Sequence, residues 1–525
     1  MSALDVDPIC VVIGRTRHRM VQVEIQEAAK QGARFIELRL DFLNKAPDFK
    51  RLLENKPCPL VATVRRPEDG GRWAGTEDAR RMLLRQAIVA GFDWVDLETD
   101  VISHIPRYKD VKRIVSYHNM REVPKDLEKI HQTMCGQDAD VVKLAVRAQH
   151  PNDNLRVLAL LKNAPKPTVA FCMGDLGMPS RILAARYGAP FTYGAFNKER
   201  NIAPGMLSFE ELKRVYFYNQ INTDTQVYGV IGDPVAHSLS PLIHNQAFRK
   251  LGLNAVYLPF RVPRAELANF IKEFEQIPVQ GYSVTIPHKE AAATLAKHQD
   301  PAVTQTQAAN TLVRGPDGFT AYNTDYQGVL DSLLAHLPAA LHAPRFVDDP
   351  LLAVSTEGQD ITLHSRAVLI LGAGGIARAV AHALFRQGSL LTISARTDSR
   401  ARKLAEEVGC RQVDWAARHS VTPCELVINC TPVGMHPNLD ESPLHPSFLK
   451  PGLLVFDTVY TPETTLLIKE ARNRGCHVIT GVDLFVRQAA RQFQLFTGHE
   501  APLELFRTTV KRALSPVTIR PTEEE

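Results

Sequence analysis

The first 220 residues alternate short β-branched runs with helix-compatible stretches, and this rhythm restricts the fold more than any other feature of the chain. Runs fall at Cys10–Ile13, Phe35–Leu38, Leu60–Thr63, Trp94–Leu97, Arg113–Tyr117, Val141–Ala145, Thr168–Cys172 and Phe191–Tyr193. Segments such as Glu77–Ala90 and Leu155–Asn163, lying between them, suit helices. Strands that alternate with helices build parallel sheets, because each crossover returns the chain to the same edge. Eight such units in roughly 200 residues predict a (β/α)8 TIM barrel.

A barrel gathers its reactive groups at the carboxyl ends of its strands. Glu37 and Arg39 stand at the end of the second run, Arg65 follows the third, Glu98 the fourth, His118 the fifth, and Lys143 lies at the sixth. A solvated surface would scatter these charges over helices and loop tips. A lysine amine attacks a ketone only when neutral, a form that burial among apolar groups favours. Lys143, flanked by valine, leucine and alanine, is expected in such a setting. His118, on the adjacent strand, can shuttle protons near neutral pH. Arg39, Arg65 and Arg181 can receive a substrate carboxylate.

At 525 residues the chain exceeds one hydrophobic core. A capping box, Ser208-Phe-Glu-Glu211, predicts a helix to about Gln220. Polar Asn222-Thr-Asp-Thr225 then marks a domain junction, and the run Val227–Ile231 starts a second α/β unit. Residues 335–366 show no period and read as an irregular insertion. The strand-like run Ala367–Leu371 leads into Gly372-Ala-Gly374-Gly375-Ile-Ala377, whose glycines permit a tight turn and close approach of backbone to a pyrophosphate on a helix N-terminus. The next run, Leu390–Ser394, ends without the acid that NAD-preferring proteins place on the ribose; Arg396, with Arg400, Arg402 and Lys403 nearby, offers a cation to a 2′-phosphate. The cofactor expected is therefore NADP(H). Lys289, closing the run from Gly281, and Asp325, in Asn323-Thr-Asp325, suit a proton-transfer dyad. Ser238 and Ser240 can present hydroxyls to a carboxylate. An imine lysine and a lysine–aspartate dyad are different chemistries, so two active sites are expected.

The formal charge of +5 fits anionic small substrates and is too small for nucleic acid. No run of 18 apolar residues is present, which speaks against a membrane span. Acids at Asp5 and Asp7 speak against a signal peptide. The eight cysteines lack CxxC spacing, so reduced thiols in a cytoplasm, and no metal, are expected. The oligomeric state is left open.

Taken together, the motifs resemble two families. Residues 1–220 resemble type I 3-dehydroquinate dehydratase through Glu37-Leu-Arg39-Leu-Asp41, Thr63-Val-Arg65 with Asp69-Gly-Gly71, Ser116-Tyr-His118, Asp140-Val-Val-Lys143, Ser180-Arg181 and Ala203-Pro-Gly205. The resemblance implies that Lys143 forms an imine with the ring ketone and that His118 is the acid/base, oriented by Asp69 or Glu37. It further implies that Arg181 binds carboxylate while Arg39 and Arg65 shape the pocket. Two departures stand out: Asp69 replaces a glutamate, and the closing loop has Ile202 and Met206 where the family has serine and glutamine. Asn197, Lys198 or Asn201 are candidates to compensate.

Residues 226–525 resemble shikimate dehydrogenase through Ser238-Leu-Ser240, Val284–Lys289, Ala309-Asn-Thr311, Asn323-Thr-Asp325, Asn429–Met435, Asp457–Tyr460 and Gly481–Gln488. The family implies a Lys289–Asp325 dyad and shikimate contacts at Ser238, Ser240, Thr285, Asn310, Tyr460 and Gln488. Cofactor contacts would fall at Gly372, Gly374, Gly375, Ala377, Arg396, Thr397, Thr431 and Gly481. Ser283 and Ala395 stand where the family has asparagines. The expected layout is a barrel over 1–221, a shikimate-binding domain over 226–330 completed by about 482–525, and a Rossmann NADP domain over 331–481. The expected function is a fused enzyme that dehydrates 3-dehydroquinate and reduces the product to shikimate. Rival readings make the dehydrogenase act on quinate, or make the barrel a decayed binding or scaffolding module.

Overall fold

Eight parallel strands carry the N-terminal half: β1 (Ile9–Ile13), β2 (Ile36–Arg39), β3 (Leu60–Thr63), β4 (Trp94–Glu98), β5 (Lys112–Asn119), β6 (Val141–Arg147), β7 (Thr168–Met173) and β8 (Thr192–Ala195). The computed structural model describes Leu4 and residues 6–200, 202–337 and 363–515. Strand order is β7-β6-β5-β4-β3-β2-β1-β8, a barrel whose open seam lies between β7 and β8. Every expected strand is present, with ends shifted by one or two residues.

Successive residues of a strand face opposite ways, so every second side chain points inward. At the first inward level stand Cys10, Phe35, Val61, Trp94, Ile114, Val141, Val169 and Phe191, which pack into one core. Phe35 meets Trp94 and Phe191 edge-on, at 5.6 and 5.1 Å between ring centroids. One pleat further toward the carboxyl ends the same face carries Glu37, Asp96, Ser116 and Lys143. The period of two thus converts an apolar floor into a charged layer without changing the backbone. Pairing of Ser116 with Lys143 fixes which of these groups are neighbours.

One expectation needs correcting here. The capping box forms, with Ser208 N–H donating to Glu211 at 2.9 Å and Glu211 N–H to Ser208 Oγ at 3.2 Å. The helix does not run on to Gln220: it is a π turn, Glu211–Val215, broken at Phe217, whose φ of 47° is left-handed. A 3-10 turn, Tyr218–Gln220, follows.

The chain divides into two compact units, Met1–Gln280 and Gly281–Glu525. Beyond the barrel the first unit holds the parallel pair β9 (Gln226–Gly232) and β10 (Ala255–Arg261), packed by the helix Ser240–Lys250. In the second, β11 (Val279–Val284) pairs antiparallel with β13 (Thr311–Gly315) and β13 antiparallel with β14 (Gly318–Tyr322), while the short β12 (His298–Gln299) pairs parallel with β14. A parallel six-stranded sheet follows: β15 (Ala367–Leu371), β16 (Leu390–Ser394), β17 (Arg411–Gln412), β18 (Leu426–Asn429), β19 (Leu454–Asp457) and β20 (His477–Ile479). Its order, β17-β16-β15-β18-β19-β20, is the 3-2-1-4-5-6 order of dinucleotide-binding sheets, with the ligand crevice at the carboxyl ends of β15 and β18. Helices Thr324–His336 and Gly481–Thr497 pack together, with Gly328 against Gln488. Most of the expected insertion, 338–362, lies outside the described residues.

Candidate active sites

Lys143 sits in the middle of β6, not at its end, and its side chain is buried. Its surroundings are charged instead of apolar. Nζ lies 3.0 Å from Asp96 Oδ2, 3.5 Å from Glu37 Oε2 and 3.9 Å from the Tyr193 ring centroid. Asp96 is held in turn by Arg65 at 2.8 Å and by the Ser116 hydroxyl at 2.5 Å. Arg65 reaches Glu98 at 2.9 Å, and Glu98 accepts at 2.7 Å from Arg80, a guanidinium with no exposed surface. Charges thus alternate from Glu77 through Arg80, Glu98, Arg65 and Asp96 to Lys143. Such a chain is stable only while every partner is present. Burial alone would raise the Asp96 carboxyl, but Arg65 and Lys143 outweigh it and hold it well below the usual carboxylate range.

Seven barrel residues expected at the site line one cavity of about 70 Å³: Glu37, Arg39, Arg65, Asp69, His118, Lys143 and Arg181; Glu98, also noted at a strand end, is not among its lining residues. The three arginines then separate. Arg39 is bound bidentately by Asp41, at 2.9 and 2.8 Å, and Arg65 is committed to Asp96 and Glu98. Arg181 is fully buried with Nε and Nη2 lacking hydrogen-bond partners, its guanidinium stacked 4.1 Å from the Phe171 ring centroid. Burial pulls it down to about 10. A desolvated, uncompensated cation is a receptor for an anion.

His118 is held neutral: burial, then the positive charges of Arg65 and Lys143, push it well below 6.5. Its Nδ1 has no hydrogen-bond partner, so neither residue expected to orient it does so here. Asp69, in the turn Pro67–Asp69, pairs with Arg66 at 2.8 Å, while Glu37 faces Lys143.

Ile202 and Met206 pack on the barrel's inner core and line the cavity mouth with Met120 and Met173. Gly174 N–H donates to Pro204 at 3.0 Å, which pins this loop to the end of β7. Of the residues considered as substitutes for the missing polar groups, Asn197 has a buried oxygen without a partner and Lys198 pairs outward with Glu211 at 3.0 Å. Asn201 lies outside the described residues.

The second unit brings Lys289 and Asp325 together at 2.6 Å between Nζ and Oδ2. Each opens a helix, Lys289–Leu295 and Thr324–His336. Asn310 locks the neighbouring turn: Thr324 N–H donates to Asn310 Oδ1 at 2.8 Å, and Asn310 Nδ2 to Thr324 Oγ1 at 2.9 Å. Gln488 Oε1 stands 3.5 Å from that hydroxyl, and Tyr460 stacks on Phe485 at 4.8 Å. Thr285 is half-buried just after β11. Ser283 donates to Gln492 at 2.7 Å, which gives this serine a structural partner. In the first unit Ser240 opens its helix and donates its N–H to Ser238 Oγ at 3.3 Å.

The glycine loop is close-packed at its first glycine and open at its second. Gly372 has φ of 116°, and a Cβ there would lie 3.0 Å from the Cys430 carbonyl; a Cβ on Gly374 would meet nothing within 4 Å. Gly375 starts the helix Gly375–Arg386, and its Cβ position is 3.8 Å from Lys289 Cδ, so the dyad borders the loop. Ala377 is buried. At the end of β16, Arg396 and Thr397 are exposed, while Asp398, the nearest acid, is bound by Arg402 at 2.8 Å and Gln412 at 2.6 Å. Thr431 N–H and Oγ1 both donate to Asn429, at 3.0 and 2.6 Å, and Gly481 is needed for packing, because a Cβ would come within 2.3 Å of the Val459 carbonyl. Asp457, under this loop, is raised to about 6 by burial.

Sequence reasoning missed Asp96, Arg80 and Tyr193, and quoted Ser116 in a motif without giving it a role. Asp96 carried a signal, since it lies two residues before Glu98 on the same strand face. Arg80 carried none, reading as an ordinary charge on the helix Glu77–Ala90.

Four family models match the chain. One described as type I 3-dehydroquinase matches residues 9–223, and the shikimate dehydrogenase substrate binding domain matches 230–312. The shikimate 5'-dehydrogenase C-terminal domain matches 481–511, and a saccharopine dehydrogenase NADP binding domain matches 368–494. The bifunctional 3-dehydroquinate dehydratase/shikimate dehydrogenase, chloroplastic, of Arabidopsis thaliana is 35% identical over 513 residues, covering 95% of this chain and 83% of the relative. Shikimate dehydrogenase (NADP(+)) of Oleidesulfovibrio alaskensis is 38% identical over 294 residues, 55% of this chain and 96% of its own. A crystal structure of a shikimate dehydrogenase in complex with NADP+ superposes with a TM-score of 0.50 at 29% identity, over 56% of this chain and 98% of its own.

Proposed function

The chain belongs to the bifunctional 3-dehydroquinate dehydratase/shikimate dehydrogenase family, and from that premise we propose that dehydration runs through Lys143 and His118 and reduction through Lys289 and Asp325. The two activities are consecutive steps of the shikimate pathway, a lyase step followed by an oxidoreductase step.

One observation carries the dehydratase assignment: the Lys143 amine, a neutral His118 and the unpaired Arg181 surround one cavity. Arg181 takes the substrate carboxylate and sets the ring ketone against Nζ. The imine makes the adjacent carbon acidic, and His118 removes that proton and returns it to the leaving hydroxyl. Arg39 and Arg65, already paired, shape the walls, with Asp69 and Glu37 at the rim and floor.

For the reductase, NADPH supplies the hydride when bound. Lys289, held by Asp325, donates the proton that the new alkoxide requires. Asn310, Thr285, Tyr460 and Gln488, with Ser238 and Ser240, are the proposed shikimate contacts; the serine pair favours shikimate over quinate. Gly372, Gly374, Gly375, Ala377, Thr431 and Gly481 would form the cofactor cradle, and Arg396 with Thr397 would meet the 2′-phosphate. The proposed domains are 1–221, 226–330 completed by 482–525, and 331–481. No helix among the described residues is long and apolar enough to cross a membrane. All eight cysteines are free, which supports a reducing compartment; we assign the cytoplasm.

The test is a two-step assay with 3-dehydroquinate and NADPH. Lys143→Ala should abolish product formation from 3-dehydroquinate yet leave turnover of 3-dehydroshikimate intact. Lys289→Met should accumulate 3-dehydroshikimate. A single variant that stopped both steps in a folded protein would refute two separate sites.

A further inference from the structure

We propose that Glu37 and Tyr193 hold the water released as the Lys143 imine forms and consumed as it is hydrolysed. This rests on the reading of Lys143 as the imine lysine. Glu37 and Tyr193 are each 3% exposed, and both line the Lys143 cavity. Glu37 Oε2 accepts no hydrogen bond, and the Tyr193 hydroxyl has no partner. Buried polar atoms without hydrogen-bond partners are rare, and these two, beside those already noted on His118 and Arg181, call for an explanation. Lys143 Nζ touches both residues, 3.5 Å from Glu37 Oε2 and 3.9 Å from the Tyr193 ring centroid. The cavity, about 70 Å³, holds several times the roughly 10–15 Å³ that one water needs. Burial, with Glu37 and Cys10 close by, keeps the phenol well above its ordinary value, so it remains a hydrogen-bond donor.

The chemistry needs such a water twice. When the imine forms, the C–O bond of the ketone breaks and its oxygen leaves as water. After the ring hydroxyl has been eliminated, water must add back to the iminium carbon. Glu37 takes a proton from that water as its oxygen bonds to carbon, and passes it to nitrogen. The C–N bond then breaks, leaving the product ketone and a lysine ammonium, both hydrogens of the water ending on nitrogen. Glu37 is a catalytic residue in this step. Tyr193 is a positioning residue, which orients the water through its hydroxyl. His118 stays free for the ring proton.

Tyr193→Phe in the full chain tests this, because it removes only a hydroxyl that satisfies no protein group and so leaves folding intact. Borohydride quenching during steady-state turnover, read by intact mass, measures the fraction of protein held as imine. The expected result is a kcat roughly tenfold lower, the loss of one hydrogen bond to the water, with a larger trapped fraction, since hydrolysis becomes limiting. An unchanged kcat and trapped fraction would overturn the proposal. So would a raised KM at constant kcat, which would assign the hydroxyl to the substrate. No adduct in the unsubstituted protein would defeat the reading of Lys143 itself, whereas equal adducts in both proteins defeat only the water.

Discussion

Replacing Arg181 by methionine should make the barrel more stable and its dehydratase a poorer binder. The guanidinium is buried with two nitrogens lacking partners, and burial lowers it well below its ordinary value, to about 10. Below pH 10 the folded protein carries the full strain of this charge, which fades only as pH climbs from 10 toward the ordinary arginine value. The difference corresponds to about 3 kcal/mol of destabilisation at neutral pH. Against it stands the stacking on Phe171, worth up to about 2 kcal/mol when desolvated. A neutral side chain of similar length should therefore stabilise by about 1 kcal/mol, a rise of roughly 2–4 °C in the midpoint for a domain of this size. Binding moves the other way. Charge-assisted hydrogen bonds to a carboxylate contribute about 1.5–3 kcal/mol each, so KM for 3-dehydroquinate should rise about 10–100-fold. Calorimetry together with dehydratase kinetics reads both effects. A lower midpoint with unchanged KM would refute the assignment, because it would mean that Arg181 is a structural cation whose partners are protein groups.

Lys289→Met should depress shikimate formation by about 100–10,000-fold while dehydratase rates hold, as separate assays of the two steps will show. His118 is neutral well below its ordinary 6.5, so the general base stays competent as pH falls through 6.5. The acid limb of dehydratase kcat/KM in the free enzyme should then lie well below that pH, and a limb centred at 6.5 would contradict the burial argument. Restoring polarity to the closing loop with Ile202→Ser and Met206→Gln should lower dehydratase KM by about 2–10-fold per hydrogen bond regained, measured on the single and double variants.

The barrel was legible because its signal repeats. Eight short β-branched runs alternate with helix-compatible stretches, and the charged residues at their carboxyl ends declare which rim is reactive. The same regularity hid Asp96. Inside the run Trp94–Leu97 it counts as strand, although its spacing from Glu98 already put it on the inner face. Arg80 could not be read, since its burial depends on a helix packing back over Glu98. Nor could the pairing of Asp69 with Arg66, which comes from the 3-10 turn that folds these neighbours together. The helix expected after Ser208 failed at Phe217, where the backbone turns left-handed although the capping signal was sound. In the second unit the glycine loop and the Lys289–Asp325 pair followed from local motifs. The partner of Ser283, Gln492, lies 209 residues away and has no local signature.

Borohydride trapping followed by peptide mapping tests the central claim most directly. Treated with 3-dehydroquinate and borohydride, the full chain should carry one reduced adduct, on Lys143, and lose dehydratase activity in proportion while its shikimate dehydrogenase activity persists. An adduct on another lysine, or full dehydratase activity with no adduct on Lys143, would contradict the account.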